Sequence, residues 1–393
     1  MPSEVSVYGR AFWCTYLANT AFTVAMAMMY RYADFVIALG GNEWTVGSIV
    51  GVGMIGSLAM RFFQGFAIDH FGPRRIWLWS VVGFVVAILA HTLIESADGP
   101  AIYALRIVYA TSVAGTFGAS ITAVSRSLPV ARMAEVIGSL GTSGFIGMAL
   151  GPVLADQFCG GETITRGDLN LLFAVAASLG FVSLVLVQWA TRDETPPRRR
   201  RKPHLAWLLR RYHPGAVMAL SALLGVGFVI PTTFLPTYIE ELGISRTGPF
   251  FVVYSATAFV ARLSTRRLPH VVGVTPMIFI GLASLIVAML AYLPVRSEWG
   301  LIFPAIFAGI AHAVLFPAVT AQGSAAFPNR YRGLGTTLML AMLDVGTLVG
   351  APLIGGLVEG SKLANLPPYP STFLALGIGM TFVGLLYALS LRR

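Results

Sequence analysis

Apolar residues in this chain come in blocks about as long as a membrane is thick, separated by short polar turns. Twelve such blocks can be placed, near residues 11–39, 45–69, 76–95, 101–124, 135–157, 169–190, 215–241, 248–268, 274–293, 299–322, 333–358 and 371–391. A helix of about 20 residues crosses the roughly 30 Å of hydrocarbon in a bilayer. Lipid offers no partner to backbone N–H and C=O groups, so spans of this length and apolarity must be helices, not open strands. The pattern therefore predicts an all-α membrane protein with twelve transmembrane helices. Its longest polar stretch, Thr191 to Pro214, divides the chain six plus six, into 1–190, a basic linker 191–214, and 215–393. Within that linker HLAWLLRRY has the character of an amphipathic helix lying on a membrane face, and Arg198 to Arg201 suit either a topological anchor or acidic lipid head groups.

The two halves echo each other. Arg61, Gly65, Asp69 and Gly72 follow one another in the first, and Arg262, Arg266, His270 and Gly273 keep the same offsets in the second, so the Arg and the last Gly repeat while the Asp does not. A cleaner echo joins RMAEVIGSLGTSGFIGMALGP, Arg132 to Pro152, with RGLGTTLMLAMLDVGTLVGAP, Arg332 to Pro352. Such spacing points to a duplicated membrane domain.

Composition agrees with a bilayer: 56% of residues are hydrophobic and 11% charged, against about 25% charged in soluble proteins. The net charge of +10 does not point to nucleic acid, because it follows topology. With the N-terminus inside, the cytoplasmic segments hold nearly all the loop Lys and Arg. The outer segments hold Arg166, Arg246, Arg296 and Lys362 and most of the acids, among them Glu43 and Asp156. That asymmetry places both termini in the cytoplasm. The apolar segment after Arg10 is too long for a cleaved leader and lacks a small-residue cleavage site. Cys14 and Cys159 fall at opposite ends of their helices, which disfavours a disulfide or a metal site. No phosphate-binding GxxxxGK[ST] loop, no HExxH or CxxC spacing and no Ser/His/Asp set is present, so no cofactor, no metal and no enzymatic activity are expected. Energy would come from an ion gradient or from the solute's own.

An ionisable residue inside a span costs about 2.5–3.5 kcal/mol at mid-bilayer and calls for a partner or a wet cavity. Those here are Arg31, Asp34, Arg61, Arg106, Arg262, His312 and Asp344. From the rise per residue, Asp34 and Arg106 both sit roughly 7 to 8 Å below the outer boundary. They are expected to meet in a cavity, with Asp34 carrying a proton or touching substrate and Arg106 as its partner. The alternative is local, since Arg31 and Asp34 are three apart and share a helical face. Arg61 and Asp344 lie at roughly 12 and 16 Å from the inner ends. They suit an ion pair between the halves, while Arg61 and Arg262 bracing their own halves is an equal alternative. His312 faces either the cavity or packing. Tyr30, Tyr32, Phe234, Tyr238 and Phe316 are candidates for an aromatic cavity wall. Gly147, Gly151 and Pro152, with Gly346, Gly350 and Pro352 in the echo, put small residues and a helix break on one face for close packing.

The segment GFAIDHFGPRR resembles the signature loop between helices two and three of the major facilitator superfamily, roughly GxxxDxxGRRR. Gly65, Asp69, Gly72, Arg74 and Arg75 match, and Pro73 replaces a common basic residue. The resemblance extends over essentially the whole chain and implies two six-helix bundles that rock about a central site lined by helices one, four, seven and ten. In that loop Asp69 can approach the positive end of a neighbouring helix while Arg74 and Arg75 bond carbonyls or Asp69, a latch for the cytoplasmic side. Two further segments are similar to the drug and metabolite efflux branch. Arg106 in ALRIVYATSVAG matches a buried arginine linked there to proton coupling. Gly147, Gly151 and Pro152 match an antiporter motif, from which Ala155 departs where a further glycine is usual. The resemblance implies a monomeric, proton-coupled exporter of a small organic molecule in the inner membrane, surrounded by lipid. The alternatives are an inward symporter or facilitator of the same fold, or a non-transporting scaffold or sensor, which the short tails disfavour.

Overall fold

The computed structural model describes residues 9–126, 130–161, 164–192, 208, 210–265, 267–328 and 331–391. The basic run Arg198 to Lys202 and most of the linker lie outside the described residues, as do the side chains of Arg132 and His270. Among the described residues twelve long helices follow one another: α1 Arg10–Ala38, α2 Glu43–Phe71, α3 Pro73–His91, α4 Pro100–Arg126, α5 Val130–Cys159, α6 Arg166–Ala190, α7 Val217–Glu241, α8 Gly248–Thr265, α9 Val274–Ala291, α10 Glu298–Ala325, α11 Arg332–Leu363 and α12 Pro368–Ser390. Among the described residues there is no strand.

Ten of the twelve are long and apolar enough to cross a membrane by length and composition. Of the other two, α8 is diluted by Ser255, Thr257 and Arg262, while the first turns of α5 lie partly outside the described side chains. These two helices pack on each other. A helix that faces protein on much of its surface needs fewer apolar residues than one bathed in lipid.

Packing divides the molecule into two like bundles. In the first, α1 lies against α5 and α6, α4 against α2 and α3, and α3 against α6. In the second, α7 lies against α11, α10 against α8 and α9, and α9 against α12. The bundles meet along two seams, α2 with α11 and α5 with α8. Each core is apolar and aromatic: Trp77, Phe84 and Phe173 are buried in one, and Phe250, Tyr292 and Phe373 in the other. Phe63, Phe66, Phe181, Phe382 and Leu385 project from the perimeter, where lipid solvates them.

Turns between helices are set by local chemistry. Gly72 ends α2 at φ +86° and Gly273 precedes α9 at φ +85°, a left-handed conformation that glycine adopts without a Cβ clash. The echoed glycines thus make the same turn in both halves, and Pro73 opens α3 at the first-turn position where its missing N–H costs nothing. Asn42 caps α2 through Thr45 N at 3.0 Å. Thr165 and Asp168 form a reciprocal capping box at the start of α6.

The first helix of each half is not continuous. Residues Met29–Arg31 of α1 form a tight 3₁₀ turn, and residues Ile230–Phe234 of α7 form a wide π turn around Pro231. The breaks fall at corresponding places in the two halves although the sequences MYR and IPTTF share nothing. Only the proline in the second half announces a break, since its ring and missing N–H disturb the helical ladder.

Candidate functional site

The turn in α1 turns Arg31 into the seam between the bundles, where it is almost wholly buried. Its Nη1 donates to Asp34 Oδ2 at 3.0 Å and its Nη2 to Asp156 Oδ1 at 2.8 Å. The same Nη2 donates to the backbone carbonyl of Ser245, in the other bundle. Asp156 is also bound from across the seam: its Oδ1 accepts from Thr247 N at 3.1 Å and Thr247 Oγ1 at 3.0 Å, and its Oδ2 from Gly248 N at 2.6 Å. The carboxylate therefore caps the N-terminus of α8, where unpaired N–H groups and the helix dipole favour an anion. A Cβ at Gly248 would come within 2.8 Å of Asp156 Oδ2 and 3.0 Å of Val153 Cα, so the approach depends on glycine. One guanidinium thus serves two carboxylates, a cluster with one negative charge in excess.

Counting charges over loops puts Asp156 among the outer acids; the structure places it inside α5, buried and bonded. Glu43, another of those acids, is also folded inward. It is buried at the start of α2 and both its oxygens accept from Lys362 Nζ at 2.7 Å, another tie between the bundles. Charge counts over loops cannot tell a solvated acid from one folded inward at a helix end.

Deeper along the α2–α11 seam, Arg61 meets Asp344. Nη2 of Arg61 lies 3.1 Å from Asp344 Oδ1, Nε bonds Oδ2, and Ser57 Oγ donates to Oδ2 at 2.6 Å. The alternative, Arg61 bracing its own half, is not what the structure shows. Helices approach closely here: a Cβ on Gly51 would meet the Pro352 ring at 2.7 Å, and one on Gly47 would meet the Ala351 carbonyl carbon at 2.8 Å.

The expected meeting of Asp34 with Arg106 does not occur. Asp34 bonds Arg31, while the Arg106 guanidinium lies 4.3 Å from the ring centre of Tyr32 and 4.6 Å from that of Tyr109. Equal depth gives the two residues a common level, but α1 and α4 present them in different directions. The Nη1 of Arg106 is buried without a hydrogen-bond partner. The two ring faces supply about 0.5–2 kcal/mol each, comparable to the insertion cost of the charge but with an N–H left unmatched.

His312, half-buried near the middle of α10, stands where both bundles contribute. Its Nδ1 is 2.5 Å from Tyr254 Oη, and the rings of Phe228, Phe145 and Phe316 lie 4.7, 5.8 and 5.9 Å away. Arg262 reaches over the Phe145 ring at 5.2 Å. Tyr30 packs on Phe251 across the seam at 4.9 Å. Phe234 and Tyr238 are both buried, Phe234 in the π turn that meets the first bundle; Tyr238 donates to the Tyr292 carbonyl at 2.7 Å and packs on Tyr369 and Phe373. Tyr32 is likewise core, within hydrogen-bond reach of His91 Nε2 at 3.2 Å.

In the signature loop Gly72 is buried, Asp69 and Arg74 are half-buried, and Gly65 and Arg75 are exposed. Gly147 and Gly151 face α1: a Cβ on the first would meet Thr23 Cγ2 at 2.7 Å, and one on the second Ala27 Cβ at 2.6 Å. Pro152 sits inside α5. Among the described residues no group of His, Cys, Asp or Glu could hold a metal ion.

Twelve helices in two like bundles, joined by ion pairs along α2–α11 and by Asp156 capping α8 along α5–α8, define a transporter fold. The family model of the Major Facilitator Superfamily matches residues 11–300, and the chain belongs to that family, one of transporters and not of enzymes. Among characterised relatives it is similar to the multidrug resistance protein MdtG of Salmonella typhi, 23% identical over 88% of this chain and 87% of that protein. It is similar also to MdtG of Enterobacter lignolyticus, 23% identical over 96% and 90%. Solved structures of like fold include the nucleoside transporter NupG, with TM-score 0.75, 13% identity and coverage of 98% and 100% of the two chains. Another is a D-xylose-proton symporter, with TM-score 0.76, 14% identity and coverage of 95% and 96%. The protein is thus an integral, multi-pass membrane transporter.

Proposed function

We propose that the protein exports a small organic solute by alternating access, exchanging it for protons, with the halves 1–190 and 215–393 moving against each other about the linker 191–214. The observation that carries this reading is the cluster of Arg31 with Asp34 and Asp156. Two carboxylates share one guanidinium, and two of the three side chains cross the seam, Arg31 to the Ser245 carbonyl and Asp156 to the start of α8. One proton neutralises the cluster's excess charge and weakens the ties of Asp156 to α8, so proton occupancy and opening of that end are linked. Arg106, on α4 with its Nη1 buried and unmatched, adds a second positive charge inside the same bundle. On this reading the Arg31 end is external and closed, and the opposite end faces the cytoplasm together with both termini. The Asp69, Arg74 and Arg75 loop latches that side in the other half of the cycle, and Arg61 with Asp344 holds the halves together in the state described. One chain suffices, since both bundles and the seam belong to it.

The direction is supported by the name of the MdtG relatives, multidrug resistance protein. The second reading, inward proton symport, is favoured by the fold shared with a D-xylose-proton symporter. Purified protein in liposomes with a trapped pH-sensitive dye separates them. A solute from a drug and metabolite panel that moves against the proton flux supports export by antiport, and one that moves with it supports symport. Asp156→Asn and Asp34→Asn are expected to abolish proton-coupled accumulation while leaving solute exchange at equilibrium. Full coupled accumulation in both variants overturns the cluster's role.

A further inference from the structure

The duplication puts an arginine on each side at the same register, Arg61 on α2 and Arg262 on α8, each facing the partner helix of its seam. In the α2–α11 seam the partner is Asp344. The echo that aligns Arg132 with Arg332 and Pro152 with Pro352 aligns Asp344 with Gly144 on α5. Arg262 accordingly lacks the carboxylate that Arg61 has: it crosses to α5, lies over Phe145, and comes within 3.9 Å of where a Cβ on Gly141 would be. A Cβ on Gly144 would meet nothing within 4 Å, so the space that a carboxylate fills in the other seam is open in this one.

The remaining buried acids are committed elsewhere. Asp344 is held by Arg61 and Ser57, Glu43 by Lys362, and Asp34 and Asp156 by Arg31. Among the described residues no carboxylate bonds Arg262. A guanidinium stays charged at any physiological pH and offers a planar fork of donors that fits an oxyanion in two-point contact. Beside it stands the aromatic group of Phe145, Phe228, Phe316 and Tyr254 around His312.

We propose that Arg262 and the open face of α5 at Gly144 form an anion subsite, in which the carboxylate or phosphate group of an amphipathic organic anion takes the place that Asp344 occupies in the other seam. The apolar body of that solute lies against the aromatic group around His312. Bound there, the solute closes the α5–α8 seam with an ion pair of its own, and its arrival and departure change how firmly the two bundles hold together. The inference rests on the transport reading above and specifies its substrate class.

Binding of naphthoate to the full chain in detergent, measured by equilibrium dialysis against naphthamide and naphthylmethylammonium, tests it. Wild type is expected to prefer naphthoate over the neutral amide by about tenfold or more, the worth of a charge-assisted pair of hydrogen bonds. Arg262→Gln is expected to remove that preference. Gly144→Asp is expected to supply the missing carboxylate internally, displacing naphthoate while leaving naphthamide bound and raising the melting temperature; it decides the matter even if Arg262→Gln does not fold. No measurable naphthoate binding, equal binding of anion and amide, tighter binding of the cation, or a preference that survives either variant overturns the subsite. Proton-coupled transport of neutral or cationic solutes without any anion preference removes the subsite alone. Anion binding without coupled transport removes the transport reading alone.

Discussion

The two seams began as copies and have diverged. Along α2–α11 the helices nearly touch at Gly47 and Gly51, and the seam is spanned by Glu43 with Lys362 near one end and by Arg61 with Asp344 deeper in. Along α5–α8 the contact is tight at one end, where Asp156 caps α8. Further in it loosens into Gly141, Gly144, Phe145, Arg262 and the aromatic surroundings of His312. The difference teaches how a duplicated framework acquires a function. One seam carries both members of a charge pair. The other loses the acid, keeps the base, and is left with a charge that something else must answer.

The largest expected effect comes from breaking the first seam's pair. Asp344→Asn leaves Arg61 charged and partly buried, and removing one partner of such a pair costs about 3–5 kcal/mol. A clear fall in melting temperature and loss of transport are expected. The double variant Arg61→Met/Asp344→Leu is expected to recover most of the melting temperature without recovering transport. Retention of both properties by Asp344→Asn would mean that the pair holds nothing together.

A second comparison sets glycine against glycine. At Gly47 an added methyl meets the α11 backbone, and overpacking of this kind costs about 1–3 kcal/mol. At Gly144 the same methyl enters open space, and replacing a helical glycine by alanine gains about 0.5–1 kcal/mol. Gly47→Ala should therefore lower the melting temperature and Gly144→Ala raise it slightly; equal effects would erase the distinction between the seams. The smallest effect is expected at the rim. Lys362 is 38% exposed, so Glu43→Gln should cost about 1 kcal/mol or less. Faster labelling of an introduced cysteine in the α1–α2 loop is the readout.

Much of this architecture can be read along the chain. Block length gives the number of helices, the charge-free runs their membrane character, and the paired offsets the duplication, down to Gly72 and Gly273 making the same turn. Depth is readable too: counting residues from helix ends puts Arg61 and Asp344 at similar levels, and they are in contact. The same count also puts Asp34 level with Arg106, and those two are apart, because rise per residue gives height and says nothing of direction around the helix. Asp156 and Glu43 carry a different lesson. Both lie at the ends of apolar blocks, where a sequence cannot say whether the last turn dips into protein or stands in water. The one hint of Asp156 in the sequence is its place one turn after Pro152.

What the sequence by itself determined is a set of one-dimensional quantities: twelve helices, two repeats, and the height of each charge in the membrane. Which charges meet was decided only when the bundles docked. A hydrogen bond is made or lost over about an ångström. At the seams that ångström is set by two bundles at once, through the 3₁₀ turn that aims Arg31, the glycines that let α2 reach α11, and Gly144, where the echo in the other half has Asp344, and Arg262 instead lies over Phe145.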